Sequence, residues 1–183
     1  MKLVVRSPSV ARALALASAC LCVGQATACK PSGAEEPAPG TSEGTPTLGK
    51  NVSFTFDSLD ARPVSSEAAR GRVAVLAFVA TWDLSSQAEV NYLVAMAKHD
   101  ESSVYYALIA LDDPKNRELV EAYEKTLAVT FPVAMADAET IAGRGPIPGV
   151  NQLPTVVVLD RAGKVVFQRS GLSKPEEIRP HMR

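Results

Sequence analysis

Cysteine is absent from most of this sequence. Its three cysteines, Cys20, Cys22 and Cys29, all lie near the N-terminus, so the chain from Lys30 to Arg183 contains no thiol. A disulfide framework, a thiolate metal site and a cysteine nucleophile all require thiols. The sequence therefore excludes each of them over that stretch.

Histidine, aromatic residues and excess charge are also scarce. The 183 residues include two histidines, 5% aromatic residues and a formal net charge of −1. Nucleic-acid binding needs a basic stripe or an aromatic stacking platform, so we expect no nucleic-acid partner. His99 and His181 are far apart and lack ligand spacing, so we expect no metal and no cofactor. The length and the 46% hydrophobic content fit one globular domain with appendages.

The N-terminus has the pattern of an export signal. Basic residues precede an apolar run over 13–23, which is too short to span a membrane, and the small residues of 26–28 then precede Cys29. We predict a signal peptide over residues 1–28. Cys29 resembles the acylated first residue of a bacterial lipoprotein, although alanine replaces the usual leucine three positions before it.

Two alternatives to lipidation at Cys29 remain open, namely simple cleavage beside it and lipidation at Cys20. Residues 29–50 are rich in Pro, Gly, Ser, Thr and Glu, which predicts a disordered tether after the lipidated cysteine. We therefore expect an exported protein, anchored in a membrane by its N-terminal lipid and facing the periplasm or the cell exterior. Residues 51–183 are the expected folded domain.

Strand and helix patterns alternate through this domain. Strands are predicted over 54–56, 73–79, 104–111, 155–159 and 164–168, and helices over 84–99, after Asp113-Pro114 and from 174. The alternation predicts an α/β fold with a mixed sheet. The helix after Asp113-Pro114 is expected to bury Leu119, Val120, Tyr123 and Leu127.

Two segments, 78–89 and 151–155, combine a buried strand with a polar or proline-containing junction. With the matching segments 54–56, 71–73, 130–133 and 159–163 in the same order, they resemble thioredoxin-fold proteins of the TlpA/ResA type, within the wider redoxin (peroxiredoxin-like) group. The resemblance covers nearly all of 54–179. It implies a thioredoxin-like fold, a central mixed sheet flanked by helices with an N-terminal β-hairpin extension, and thiol–disulfide oxidoreductase activity.

The active-site motif of that family is missing. The family has Cys-x-x-Cys directly after the tryptophan, whereas Asp83 and Ser86 stand at those positions after Trp82. Dithiol exchange needs one thiolate to attack a disulfide and a second thiol to resolve the mixed species. A carboxylate and a hydroxyl do neither, so we predict no catalytic residue at these positions and leave enzymatic activity as an unfavoured alternative.

Helix capping offers a structural explanation for the replacement residues. The field of a helix N-terminus stabilises a carboxylate at Asp83, and Ser86 with Glu89 has the spacing of a capping box. The resemblance matches Glu89 to an acid that tunes proton transfer in ResA-like proteins. Without thiols that task disappears, and we expect Glu89 on a solvated helix face. A binding role and a new catalytic role for Asp83 and Ser86 remain alternatives.

A binding surface is predicted at Trp82, Asp83, Ser86, Leu153 and Pro154. The resemblance implies that Pro154 is cis and that its loop lies opposite the active-site helix, where its backbone pairs with extended peptides. The alternative is a loop that only shapes the start of a strand. Trp82 supplies either an exposed contact or half-buried packing.

The favoured prediction is an envelope lipoprotein whose thioredoxin-like domain lacks the redox cysteines and binds another envelope protein or peptide. The first alternative is a thiol–disulfide oxidoreductase or antioxidant protein of the TlpA group that uses a thiol from a partner. The second is a purely structural module.

Overall fold

The computed structural model describes residues 48–100 and 102–183, which form a thioredoxin-like α/β fold. The strands are β1 (Thr55–Ser58), β2 (Val64–Ser65), β3 (Val73–Val79), β4 (Val104–Ala110), β5 (Val133–Met135), β6 (Thr155–Leu159) and β7 (Val165–Ser170). The helices are α1 (Ser66–Ala69), α2 (Leu84–Asp100), α3 (Arg117–Thr126), α4 (Ala138–Ile141) and α5 (Pro175–Ile178), with 3-10 turns at Pro114–Asn116 and Arg179–His181.

One mixed sheet connects all seven strands in the order β2-β1-β5-β4-β3-β6-β7. The pairs β3–β4 and β4–β5 are parallel, and the other pairs are antiparallel. The N-terminal hairpin of β1 and β2 joins the sheet through β5. The sequence-based prediction of a thioredoxin-like fold with a mixed sheet is therefore confirmed.

The central strand β3 separates two hydrophobic layers. All seven of its side chains are buried, and they alternate between the two faces because successive strand residues point in opposite directions. One layer contains Val75, with Leu93 of α2 and Ile178 of α5. The other contains Leu76, with Phe56 of the hairpin. This double coverage fixes β3, and therefore the junction that follows it, at the centre of the molecule.

The burial predicted for Leu119 is wrong. Its side chain is 53% exposed, whereas Val120 is fully buried. The carboxylate of Asp113 accepts a hydrogen bond from the backbone N–H of Lys115 at 3.0 Å, and a 3-10 turn precedes α3. α3 therefore begins at Arg117 with Val120 facing the core, and Leu119, about 100° away around the helix axis, falls at the exposed edge.

The signal peptide, Cys20, Cys29 and most of the predicted tether lie outside the described residues. At the end of that tether, the backbone N–H of Gly49 donates to the carbonyl of Val165 at 2.8 Å, and the N–H of Val165 donates to the carbonyl of Lys50 at 2.9 Å. The domain's backbone contacts therefore extend slightly upstream of residue 51. Within the described part of the chain, no helix is both long and apolar enough to cross a membrane.

Candidate functional site

The two predicted binding segments lie at the same end of the sheet. β3 and β6 run antiparallel with Phe78 opposite Thr155. The chain leaves β3 two residues after Phe78 and enters β6 directly after Pro154, so both junctions are at this edge. Sheet pairing, rather than a side-chain contact, brings Trp82 and Leu153 to one end of the molecule.

Asp83 caps the N-terminus of α2. Its Oδ2 accepts a hydrogen bond from the backbone N–H of Ser86 at 2.7 Å and another from the Ser86 hydroxyl at 2.6 Å. The Ser86 oxygen in turn accepts from the N–H of Ala80 at 3.2 Å, and the whole Ser86 side chain is buried. This is the geometry of an N-cap residue bonding the third helical position. The structural explanation from the sequence therefore holds for this pair.

This closed set of bonds limits what Ser86 does. Its hydroxyl donates to Asp83, accepts from Ala80 and has no exposed surface. An attacking nucleophile needs a base and an open path to substrate, and this hydroxyl has no such path. The Ser86 side chain does not reach the protein surface, and it instead supports Asp83 and the start of α2.

Glu89 differs most from its predicted environment. It is fully buried instead of solvated, and it does not form a capping box with Ser86. Its Oε2 accepts a hydrogen bond from the backbone N–H of Ser173 at 2.6 Å, while its Oε1 has no hydrogen-bond partner among the described residues. Burial is the main cause that raises the pKa of Glu89 to about 7. The Ser173 hydrogen bond opposes that rise, so Glu89 titrates near neutral pH.

Asp112 is a site residue that the sequence analysis missed. It follows β4, and its Oδ2 accepts from the backbone N–H of Thr81 at 3.0 Å while its Oδ1 accepts from the Thr81 hydroxyl. Only 2% of Asp112 is exposed. Because parallel strands β3 and β4 end at the same edge of the sheet, an acid two residues after β4 could have indicated this site from the sequence. Asp112 fixes the junction that carries Trp82.

Tyr123 of α3 is a second residue that the sequence analysis did not place here. Its phenolic oxygen is buried and has no hydrogen-bond partner in the part of the chain that the structure describes. Burial, followed by the charges of Asp112 and Asp83, raises the pKa of Tyr123 to about 12. The phenol therefore stays protonated at neutral pH. Both carboxylates act on it electrostatically, which places α3 beside the junction after β3.

The loop before β6 contains a cis peptide bond between Leu153 and Pro154, as the resemblance implied. The backbone carbonyl of Pro154 accepts from the N–H of Gly171 at 2.7 Å. The Thr155 hydroxyl donates to the carbonyl of Gln152 at 2.7 Å. Pro154 itself is buried and Leu153 is half-buried, whereas Asn151 and Gln152 are exposed.

Apolar side chains are exposed at this end of the sheet. Trp82 is 73% exposed and Leu84 is 79% exposed, which decides between the two predicted environments of the tryptophan. Leu172, directly after Gly171, is 37% exposed. Large apolar side chains exposed at one end of a sheet are candidates for an interaction surface. Within 48–100 and 102–183, no group of acidic, histidine or cysteine side chains is arranged to hold a metal ion.

Known proteins with similar sequences are thiol–disulfide oxidoreductases. The chain is 28% identical over 138 residues to thiol-disulfide oxidoreductase ResA of Bacillus anthracis, a match that covers 74% of this chain and 77% of that protein. ResA of Geobacillus thermodenitrificans is 25% identical over 130 residues, covering 70% of this chain and 72% of that one. A scan against protein-family models finds no match.

Solved structures agree with these sequence matches. A thiol:disulfide interchange protein of the thioredoxin family from Chlorobium tepidum superposes with a TM-score of 0.63 at 27% identity, covering 74% of this chain and 94% of that one. The chain has a thioredoxin-like fold and is similar to redoxin-family proteins. StoA from Bacillus subtilis shares the fold with a TM-score of 0.59 at 18% identity, covering 75% of this chain and all of that one.

Proposed function

We propose that this chain is a redoxin-family protein that is exported, anchored by a lipid on Cys29, and binds another envelope protein or peptide without redox turnover of its own. The observation that carries the proposal is the closed capping arrangement of Asp83 and Ser86, found where a dithiol would be needed. Because the described domain contains no cysteine, it has no group that forms a mixed disulfide.

The exposed surface supports a binding role. Trp82 and Leu84 expose large apolar areas to water just after β3, and Leu153 is half-buried in the cis-proline loop at the same end of the sheet. An extended peptide that pairs with the backbone at Leu153 covers these side chains, with main-chain hydrogen bonds giving affinity and apolar contacts giving selectivity. The site thus retains the features of a peptide-binding edge without the chemistry of exchange.

Site-specific crosslinking in intact cells tests the binding role. A photo-activated amino acid at Leu153 is expected to crosslink a small, reproducible set of envelope proteins. The same amino acid at Lys98, exposed near the other end of α2, is the matched control. Crosslinking from Leu153 should fall in Trp82→Ala and persist in Leu119→Ala, which removes another exposed apolar side chain. Equal products from both crosslinker positions contradict the proposal.

A second candidate function is thiol–disulfide exchange that uses a thiol of the partner. The names of the ResA relatives favour it. The test is disulfide reduction and peroxide removal by the full chain with Cys20, Cys22 and Cys29 changed to serine. Turnover above the blank without protein would refute the non-redox proposal. Turnover only when a captured partner is added would support the partner-thiol alternative.

A further inference from the structure

The turn between β7 and α5 lies against the cis-proline loop. The N–H of Gly171 donates to the carbonyl of Pro154 at 2.7 Å, and the hydroxyls of Thr155 and Ser170 are 2.9 Å apart. Leu172, the next residue, projects an apolar side chain that is 37% exposed. The turn therefore adds an apolar side chain to the binding end of the sheet.

Glu89 holds the other end of this turn from inside the molecule. Its Oε2 accepts from the backbone N–H of Ser173 at 2.6 Å, and both residues are fully buried. Its Oε1 is also buried and has no partner within the described residues. The bond joins α2 to a segment 84 positions away in sequence. It is the link from the helix capped by Asp83 to the turn that carries Leu172.

Two further charged groups act on this carboxyl. Glu177 of α5 raises the pKa of Glu89 and Arg169 of β7 lowers it, and those two residues form an ion pair with each other. Glu177 also accepts from the backbone N–H of Lys174 at 2.9 Å. The opposite charges of Glu177 and Arg169 partly offset each other's effect on the pKa of Glu89. The hydrogen bond to the backbone N–H of Ser173 is the direct contact between Glu89 and the turn.

We infer that Glu89 is a positioning residue for the partner-binding surface, holding the turn 171–173 so that Leu172 packs beside the cis-proline loop where an extended apolar peptide binds. This inference rests on the proposed binding function and adds a residue that no partner touches. Because the domain has no thiols, the buried Glu89 carboxyl cannot tune proton transfer at a dithiol. The structure instead connects it to the backbone of the turn.

Amide hydrogen exchange of the full-length chain tests the link without any partner. In Glu89→Ala, the Ser173 and Gly171 amides are expected to exchange at least about tenfold faster, because the hydrogen-bond acceptor that holds the turn is gone. Amides of β3, such as Leu76, should keep their protection. Gln87→Ala, an exposed change on the same helix, is the control. Equal Ser173 exchange in the two variants overturns the inference.

A conservative variant separates positioning from general destabilisation. Glu89→Gln keeps an oxygen that accepts from Ser173 but has no titrating proton. Its Ser173 exchange should stay near that of the unmodified protein. In the unmodified protein, the Ser173 amide chemical shift should titrate with a midpoint near pH 7, and in Glu89→Gln it should not. A Ser173 shift that titrates in the same way in both proteins would mean that another group acts on this amide, and would contradict a direct bond to the Glu89 carboxyl.

Binding is then measured with a defined probe, a fluorescein-labelled ten-residue peptide of alternating valine and threonine. Affinity is expected to fall about tenfold in Glu89→Ala and to be retained in Glu89→Gln and Gln87→Ala. If Ser173 exchange changes but probe affinity does not, the inferred role in binding is refuted. If the unmodified protein binds neither the probe nor any crosslinked partner, the proposed function fails, whatever the exchange data show for the turn.

Discussion

At the scale of single residues, carboxylates at this site form hydrogen bonds where the related oxidoreductases have redox cysteines or their surroundings. Asp83 accepts twice from Ser86, and Asp112 accepts twice from Thr81. Each carboxylate thus fixes backbone on one side of the exposed Trp82. The tryptophan is held by its neighbours' hydrogen bonds while its own ring stays in water.

Replacement of Asp83 is expected to destabilise the start of α2. Asp83→Ala removes the N-cap and leaves the buried Ser86 hydroxyl without its acceptor, so we expect a loss of about 2 kcal/mol in the free energy of unfolding. Asp83→Asn keeps an acceptor oxygen and should lose less. Urea denaturation measures both, with the exposed Ser85→Ala as the control. A loss in Asp83→Ala no larger than that control would contradict the capping role.

The buried carboxyl of Glu89 predicts a pH-dependent stability. Its pKa is about 7 in the fold and near 4.5 when solvated, so the folded state favours the protonated form. This stabilisation is complete below about pH 4.5 and is lost as pH rises through 7, a change of about 3 kcal/mol. Glu89→Gln cannot ionise and should gain stability relative to the unmodified protein across that interval.

Urea denaturation between pH 4.5 and 8 measures that difference. Glu118→Gln, which removes one exposed carboxylate on α3, controls for the change in net charge. The difference in unfolding free energy between Glu89→Gln and the unmodified protein should grow with pH over this range. A difference that stays constant with pH means that Glu89 does not titrate in the interval.

The burial of Glu89 against the turn at Ser173 could not be predicted from the local sequence. Its position three residues after Ser86 fits a capping box, and only the fold shows that the turn at Ser173 crosses above this helix position. The signal depends on a contact between residues far apart in sequence. Asp83 needed no such information, because helix capping acts within one turn.

At the scale of elements, α3 shows how a turn sets the face of the helix that follows it. Val120→Ala should lower the free energy of unfolding by about 2 kcal/mol through lost burial and a cavity. Leu119→Ala removes more apolar atoms, yet should change it by less than about 0.5 kcal/mol because the side chain is exposed. Thermal denaturation of the pair measures the contrast. Equal losses would place both residues in the core.

At the scale of the whole molecule, the sequence was sufficient for the architecture and insufficient for the contacts between layers. The buried run of β3 and the hairpin signal at 160–163 are local patterns, and both elements formed as predicted. Burial of Leu119 and Glu89 depends on how helices rotate against the sheet. Periodicity constrains that rotation only to about one residue position, or 100°.

Restoring a dithiol tests whether the site is still built for exchange. The Asp83 Oδ2 and Ser86 hydroxyl are 2.6 Å apart, so the two side chains already point towards each other at the helix start. With the three N-terminal cysteines changed to serine, Asp83→Cys with Ser86→Cys is expected to form a disulfide under mild oxidation. Mass spectrometry detects the loss of two hydrogens and their return after reduction.

A mismatched pair distinguishes a preserved geometry from a flexible one. Asp83→Cys with Ser85→Cys places the second thiol on an exposed position two residues along, where the helix directs it away. This pair should remain reduced under the same oxidant.

Disulfide reduction by the 83/86 variant alone would show that only the missing sulfur atoms separate this domain from its oxidoreductase relatives. Oxidation of both pairs alike would instead mean that the start of α2 is too mobile to position a dithiol. In that case the capping bonds of Asp83 do not fix the surface around Trp82.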